Sequence, residues 1–182
     1  MTAREFMPAQ PTRCSPLVVN QGQALSPQVE SMVRMLYNPP YCAVRRLSIQ
    51  SVATATDTPV DFLAGASVEA DTHGMFATAS PDRLTIKVPG VYHFEANVAI
   101  AANATGIRVV WLRVNADNTL RHVYMQFAGT SVLVQYFVLS CDVALAANDY
   151  IQVMVHQNSG VALDLPTYSN MVPRLTARWV RP

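Results

Sequence analysis

The stretch that most constrains the fold of this chain runs from Pro89 to Asn115, PGVYHFEANVAIAANATGIRVVWLRVN. Tyr92, Phe94, Ala96, Val98 and Ile100 fall at every second position, with His93, Glu95 and Asn97 between them. That is the period of a strand with one face buried and one more polar. Pro89-Gly90 opens it with a fixed φ followed by a permissive one. Asn103-Ala104-Thr105-Gly106 carries turn chemistry, because Asn and Gly tolerate φ > 0 and Thr bonds locally. Val110, Leu112 and Val114 then resume the alternation, with Arg108 and Arg113 read as the opposite face. The expectation is a β-hairpin at the centre of an antiparallel sheet.

Residues 1–40 have a different character. They hold Pro8, Pro11, Pro16, Pro27, Pro39 and Pro40, half of the chain's 12 prolines, which excludes a long strand or helix over most of the segment. The exception is Ser26 to Tyr37. Ser26 suits an N-cap, Pro27 suits the first helical position, and Val29, Met32, Val33 and Leu36 share one face. Asn38-Pro39-Pro40 stops the helix. At about three turns it is too short to be stable alone in water, so it must dock on something.

From Tyr41 onward the signals are β. Strands are predicted at 42–51, 58–62, 83–88, 91–101, 107–115, 119–128, 132–145, 149–157 and 172–180, separated by turns such as Ser80-Pro81-Asp82 and Ala147-Asn148-Asp149. About nine or ten short strands at this spacing predict an all-β fold, an antiparallel β-sandwich or jelly roll. The expected organisation is an N-terminal extended arm with one short helix (1–40) followed by a jelly-roll domain (41–182).

Composition narrows the function. Hydrophobic residues make up 51% and charged residues 14%, the latter well below the roughly 25% usual in soluble domains. No run approaches the roughly 18 apolar residues of a membrane helix, so part of the surface is expected to be covered by copies of the chain or by other proteins. A net charge of +1 argues against nucleic acid. Of the 13 basic residues only Lys87 is lysine, and arginine is the better interface residue. Cys14, Cys42 and Cys141 lack metal-ligand spacing, predict no disulfide framework and fit synthesis in a reducing cytosol. MTAREFMPAQPTRC lacks the apolar core of a secretory leader, so a soluble protein without membrane insertion is expected.

The strand PGVYHFEANVAI, followed by AANATGIRVVWLRVN and NDYIQVMVHQNSGVALDL, resembles the complement-1q/tumour-necrosis-factor jelly roll, and most of all the copies carried by virion proteins of tailed bacteriophages. The similarity rests on Gly90, Tyr92 and Phe94, on Asn-Ala-Thr-Gly-x-Arg at 103–108, and on Asp149-Tyr150 leading into Ile151, Val153 and Val155. It extends to the Gln157-Asn158-Ser159-Gly160 turn and to Asp71–Phe76 with Arg83-Leu84-Thr85. The resemblance implies a homotrimer packing one sheet around a threefold axis. It implies a non-enzymatic virion structural protein, made in the host cytoplasm, that decorates the head or forms a fibre on the head or neck. The arm would anchor it to other virion proteins of the capsid, neck or tail. The alternative is a tail-associated receptor-binding protein, recognising host-surface glycan or protein through the 56–82 and 115–119 loops. There is no collagen-like stalk, and residues 1–40 match nothing in the family.

Individual sites add little chemistry. There is no nucleophile elbow, P-loop or His-Glu-x-x-His, and no Ser-His-Asp triad is recognisable, so no catalytic residue is expected. His93 and His156 read as packed strand histidines. Asp57, Asp61, Glu69, Asp71 and Asp82 cluster around His73 in a loop that oxygen-seeking calcium could use, but their spacing fits no calcium loop; a solvated acidic loop is expected, with no metal and no cofactor. Asn103-Ala104-Thr105 is formally a glycosylation sequon, read here as turn chemistry. Residues 132–139, VLVQYFVL, have no polar face, predicting cover on both sides. Val134, Tyr136, Val138 and Trp179 are therefore the candidate trimer contacts. Val29, Met32, Val33 and Leu36 are the candidate anchoring stripe.

Overall fold

The computed structural model describes residues 26–63, 67–117, 121–167 and 171–182; Cys14, Tyr168 and the prolines before Ser26 lie outside them. The chain divides between Pro39 and Pro40. Before the division stands α1 (Pro27–Tyr37), started where Ser26 Oγ accepts from Val29 N and ended where Asn38 N donates to Arg34 O. Glu30 and Arg34 pair at 2.6 Å one turn apart. Val29, Met32 and Leu36 present exposed apolar side chains, and Val33 is half-buried.

After the division every strand pairing among the described residues is antiparallel. In order, the strands are β1 (Tyr41–Arg45), β2 (Gln50–Val52), β3 (Thr58–Pro59), β4 (Ser67–Asp71), β5 (Phe76–Ala77) and β6 (Ser80–Thr85). The long strands follow: β7 (Gly90–Ile100), β8 (Asn103–Val114), β9 (Arg121–Thr130), β10 (Gln135–Leu145) and β11 (Tyr150–Gln157). β12 (Leu163–Leu165) and β13 (Arg174–Arg181) close the chain. One sheet runs β10-β7-β13-β1-β4, the other β5-β6-β11-β8-β9 with β3 added to β11, and β2 pairs β12. Between the two large sheets lies one core, into which β7 sends Tyr92, Phe94, Ala96, Val98 and Ile100 as its alternation predicts. Val110 and Leu112 of β8, and Ile151, Val153 and Val155 of β11, meet them from the other sheet.

The predicted hairpin is not one. β7 lies between β10 and β13, β8 lies between β11 and β9, and the two never pair. The link between them is an arch that carries the chain from one sheet to the other. Alternation sets which face of a strand is buried, and that requirement is met equally by a strand on either side of a sandwich. Asn-Ala-Thr-Gly is likewise not the turn but a bulge inside β8, where its register against β9 shifts between Asn103 and Ile107. Gly106 sits there at φ +76, and a Cβ on it would stand 2.6 Å from Asn158 O. This close approach lets Asn158 Oδ1 accept from Ile107 N at 2.6 Å.

Arg108 corrects a second expectation. It has the same parity as Val110 and Leu112, and it is fully buried. Its guanidinium closes the bulge, donating to Asn103 O (2.9 Å), Thr105 O (2.9 Å) and Ile107 O (3.0 Å). Arg46 does similar work elsewhere. It donates to Ser48 O at 2.6 Å, Ile49 O at 3.0 Å and Asp61 O, which splits the predicted 42–51 strand into β1 and β2. The short β4, β5 and β12 were not predicted, and the 132–145 strand begins only at Gln135.

Candidate functional site

The outward face of the five-stranded sheet is set by the same parity that fills the core. β10 turns Phe137, Leu139, Val143 and Leu145 inward, which leaves Tyr136, Val138, Ser140 and Asp142 outward. β7 adds His93, Glu95 and Asn97, β13 adds Arg174, Thr176 and Arg178, and β1 adds Tyr41 and Arg45. The face grades from apolar at the β10 edge to charged at its centre. Tyr136 is 42% exposed and Val138 68% exposed. Within one chain the core covers the inner side of β10, and the outer side, which the sequence pattern assigns to neighbouring subunits, is open.

Next to them His93 Nδ1 donates to Asp142 Oδ1 at 2.6 Å, while Nε2 lies 3.3 Å from Ser140 Oγ and 3.4 Å from Glu95 Oε1. Beyond these, Arg174 Nε donates to Glu69 Oε2 at 2.8 Å, and Arg45 stands 3.4 Å from the other Glu69 oxygen. Tyr41, His93, Glu95, Arg174, Thr176 and Arg178 line a shallow depression of about 180 Å³. Arg178 makes no ion pair among the described residues, and Glu95 and Asp142 remain 61% and 60% exposed.

Ser140, His93 and Asp142 have the order of a hydrolytic relay, which the sequence did not reveal because Ser140 and Asp142 are 47 and 49 residues from His93. The surroundings do not suit that chemistry. All three sit on regular paired strands open to water, with the backbone amides of β7 and β10 committed to the β-ladder rather than to an oxyanion. Glu95 also competes for the nitrogen that would activate Ser140. The arrangement is better suited to polar recognition than to nucleophilic attack.

Of the predicted contacts, Tyr136 and Val138 share this face. Val134 is half-buried in the turn before β10. Trp179 lies on the other side of the sheet, packed against the core, where its Nε1 donates to Pro89 O at 3.3 Å. A Cβ at residue 90 would stand 2.3 Å from that nitrogen, so the Gly90 that opens β7 is what admits the indole.

The acidic loop resolves into separate structural tasks. Asp71 accepts from His73, Met75 and Phe76 N–H groups, Asp57 pairs with His156 at 2.8 Å, and Asp82 pairs with Arg83 at 2.9 Å. Among the described residues no group of three or more His, Cys, Asp or Glu side chains is placed to hold a metal. No described helix is long and apolar enough to cross a membrane.

The two described thiols, Cys42 and Cys141, are held in their protonated, poorly nucleophilic form. Burial, and then the nearby Asp71 charge, pushes Cys42 from 9.0 up to about 12; burial and Asp142 push Cys141 up to about 11. Burial also pushes Tyr92 up to about 12, and its hydroxyl donates to Val88 O at 2.7 Å. Above the unfolded thiol's value near 9.0 the native state therefore holds protons that the unfolded chain releases. Stability is expected to be level up to about pH 9 and to fall above it, by at most about 1.4 kcal/mol per pH unit for each such group. Denaturant midpoints at pH 8 and 10.5 measure this. Cys42→Ala should flatten the decline, and equal wild-type midpoints would refute it.

No family model matches the chain, and no curated protein matches it. Solved structures do. The globular domain of zebrafish complement 1qA protein is similar at 15% identity and TM-score 0.54, over 79% of this chain and 99% of that one. Murine APRIL, crystallised at pH 5.0, is similar at 12% identity and TM-score 0.56, over 76% and 98% of the two chains. Eiger TNF from S. frugiperda is similar at 11% identity and TM-score 0.55, over 79% and 95%. At these identities the likeness is one of fold: residues 40 onward form a jelly roll of the complement-1q/tumour-necrosis-factor type.

Proposed function

We propose that this chain is a non-enzymatic bacteriophage virion protein: a homotrimeric jelly-roll knob that decorates the head or forms a fibre on the head or neck, with residues 1–40 attaching it to the particle. The observation that carries the self-association is the outward face of the β10-β7-β13-β1-β4 sheet. Exposed Tyr136 and Val138 stand beside two exposed carboxylates, Glu95 and Asp142, and Arg178, which forms no ion pair among the described residues. An apolar edge next to opposite charges that are not fully neutralised within one chain is complementary to a copy of itself. The solved structures share the fold, and the sequence resemblance to phage virion domains supports the location. The Val29/Met32/Val33/Leu36 stripe of α1 supplies an apolar surface for anchoring, since an isolated helix of this length needs a partner.

The full-length chain is expected to elute with three times its 19.9 kDa mass in light scattering. The double variant Val138→Glu/Tyr136→Ser should give folded monomer, because three copies of a carboxylate would be buried at the closed contact. A wild-type monomer, or an intact trimer of the double variant, would sink the self-association. Particles assembled with a chain lacking residues 1–40 should lose the knob density; normal incorporation would remove the anchoring role.

A further inference from the structure

The six-stranded sheet turns a second, unlike face to solvent, on the side of the sandwich away from the proposed self-association face. Its β8 and β11 bury a small apolar cluster there, Val109, Trp111 and Met154, joined by the half-buried Ile107. Strand register explains the grouping. Trp111 stands opposite both Met154 and Tyr124, and Val109 stands opposite both His156 and Gln126. The loop before β3 brings Asp57 onto the same rows, where its Oδ1 accepts from His156 Nδ1 at 2.8 Å. Asp57, Ile107, Val109, Trp111, Tyr124, Gln126 and His156 together line a pocket of about 230 Å³.

We infer that this pocket is a binding site for one neutral pyranose ring of a glycan. Four of its lining residues are apolar or aromatic: Ile107, Val109, Trp111, and Tyr124, which is 42% exposed. Such a surface packs the C–H face of a sugar ring, whose slightly positive hydrogens meet the negative aromatic face. The rim supplies the polar half, and its donors and acceptors are sorted by their internal bonds. Tyr124 donates its hydroxyl to Gln126 Oε1, which leaves the amide Nε2 as a donor. His156 occupies one oxygen of Asp57, which leaves the other as an acceptor and leaves His156 Nε2 as a second polar contact. A donor, an acceptor and an imidazole nitrogen beside apolar and aromatic lining match the vicinal hydroxyls and apolar face of a pyranose. The exposed Asp57 carboxylate disfavours an acidic sugar, and the small volume suits a single ring better than a larger ligand, which would need roughly 300 Å³ or more. The site does not depend on trimer formation. In a trimer closed through the other sheet it would face outward, three times per knob.

Saturation-transfer NMR on the full-length protein tests this with the methyl glycosides of glucose, galactose, mannose and N-acetylglucosamine, and with N-acetylneuraminic acid as the charged probe. Transfer to the ring protons of at least one neutral sugar is expected. Tyr124→Ala should abolish it, and Asp57→Asn and Gln126→Ala should each weaken it at least tenfold, with melting temperatures close to wild type. No transfer from any neutral glycoside would overturn the inference. So would transfer that survives Tyr124→Ala in a folded variant, or binding confined to N-acetylneuraminic acid.

Discussion

Phe137→Ala is expected to lower the stability of the fold by about 3–5 kcal/mol, enough to shift the melting temperature by roughly 2–4 °C per kcal/mol. Phe137 is fully buried on β10, and its ring centroid lies 5.2 Å from that of Phe127 on β9. The two strands are the edges of different sheets, so this aromatic pair ties the sandwich together along one side, from the buried Phe137 to the 42% exposed Phe127. Removing the Phe137 ring costs both the transfer of a large side chain and a void in a close-packed interior. The substitution also reaches the surface. Tyr136 and Val138, on either side of Phe137 in sequence, are held outward by the inward seat of that ring, so looser packing of β10 should weaken self-association as well. Chemical denaturation at several chain concentrations separates the two effects, because only the self-association part shifts with concentration. Phe137→Leu should lose less than half as much. A loss below about 1.5 kcal/mol for Phe137→Ala would mean that the sheets are held elsewhere.

Arg108→Met should cost about 2–4 kcal/mol, although it removes a charge from the interior. Desolvation lowers the Arg108 pKa, and among the described residues Arg108 forms no ion pair that would offset that cost. What offsets it is three backbone carbonyls, those of Asn103, Thr105 and Ile107, which the fork of the guanidinium reaches at once. Methionine fills the space but removes the guanidinium donors from those acceptors, and Ile107 O keeps only a long contact from Asn158 N at 3.4 Å. Arg108→Lys keeps the charge but concentrates its donors at one point, so it should recover only part of the loss. If Arg108→Met melts within 2 °C of wild type, the carbonyls must rehydrate freely and the buried cation is dispensable. Together the two variants divide the stability of the sandwich between its apolar core and the polar closure of one arch.

These particulars show how much could be read beforehand. The β class, the inward residues of β7 and the capped helix after Ser26 were legible because each is a local rule: period two, or a cap beside a proline. The pairing of β7 and β8 was not, because two strands adjacent in sequence satisfy the same alternation whether they share a sheet or face each other across one. Arg108 was legible in principle. Its parity with Val110 and Leu112 places it inward, but charge argued for the surface, and only the three carbonyls of the bulge reverse that preference. Of the proposed contact residues, Tyr136 and Val138 come together on one face, whereas Trp179 turns to the core because Gly90 makes room for it. β4, β5 and β12 have two to five residues each, too few for a period to register.

The sequence alone determined that residues from about 41 onward form an antiparallel sandwich with one buried face per long strand, preceded by a proline-rich arm and a short capped helix. Those properties follow from side chains near in sequence. The tertiary structure decided which strands are partners, which charges are buried, and that His93 meets Ser140 and Asp142 on one face while Asp57 meets His156 above Trp111 on the other. Asp57 and His156 lie 99 residues apart, and no local preference carries information over that distance; only sheet register brings such pairs together.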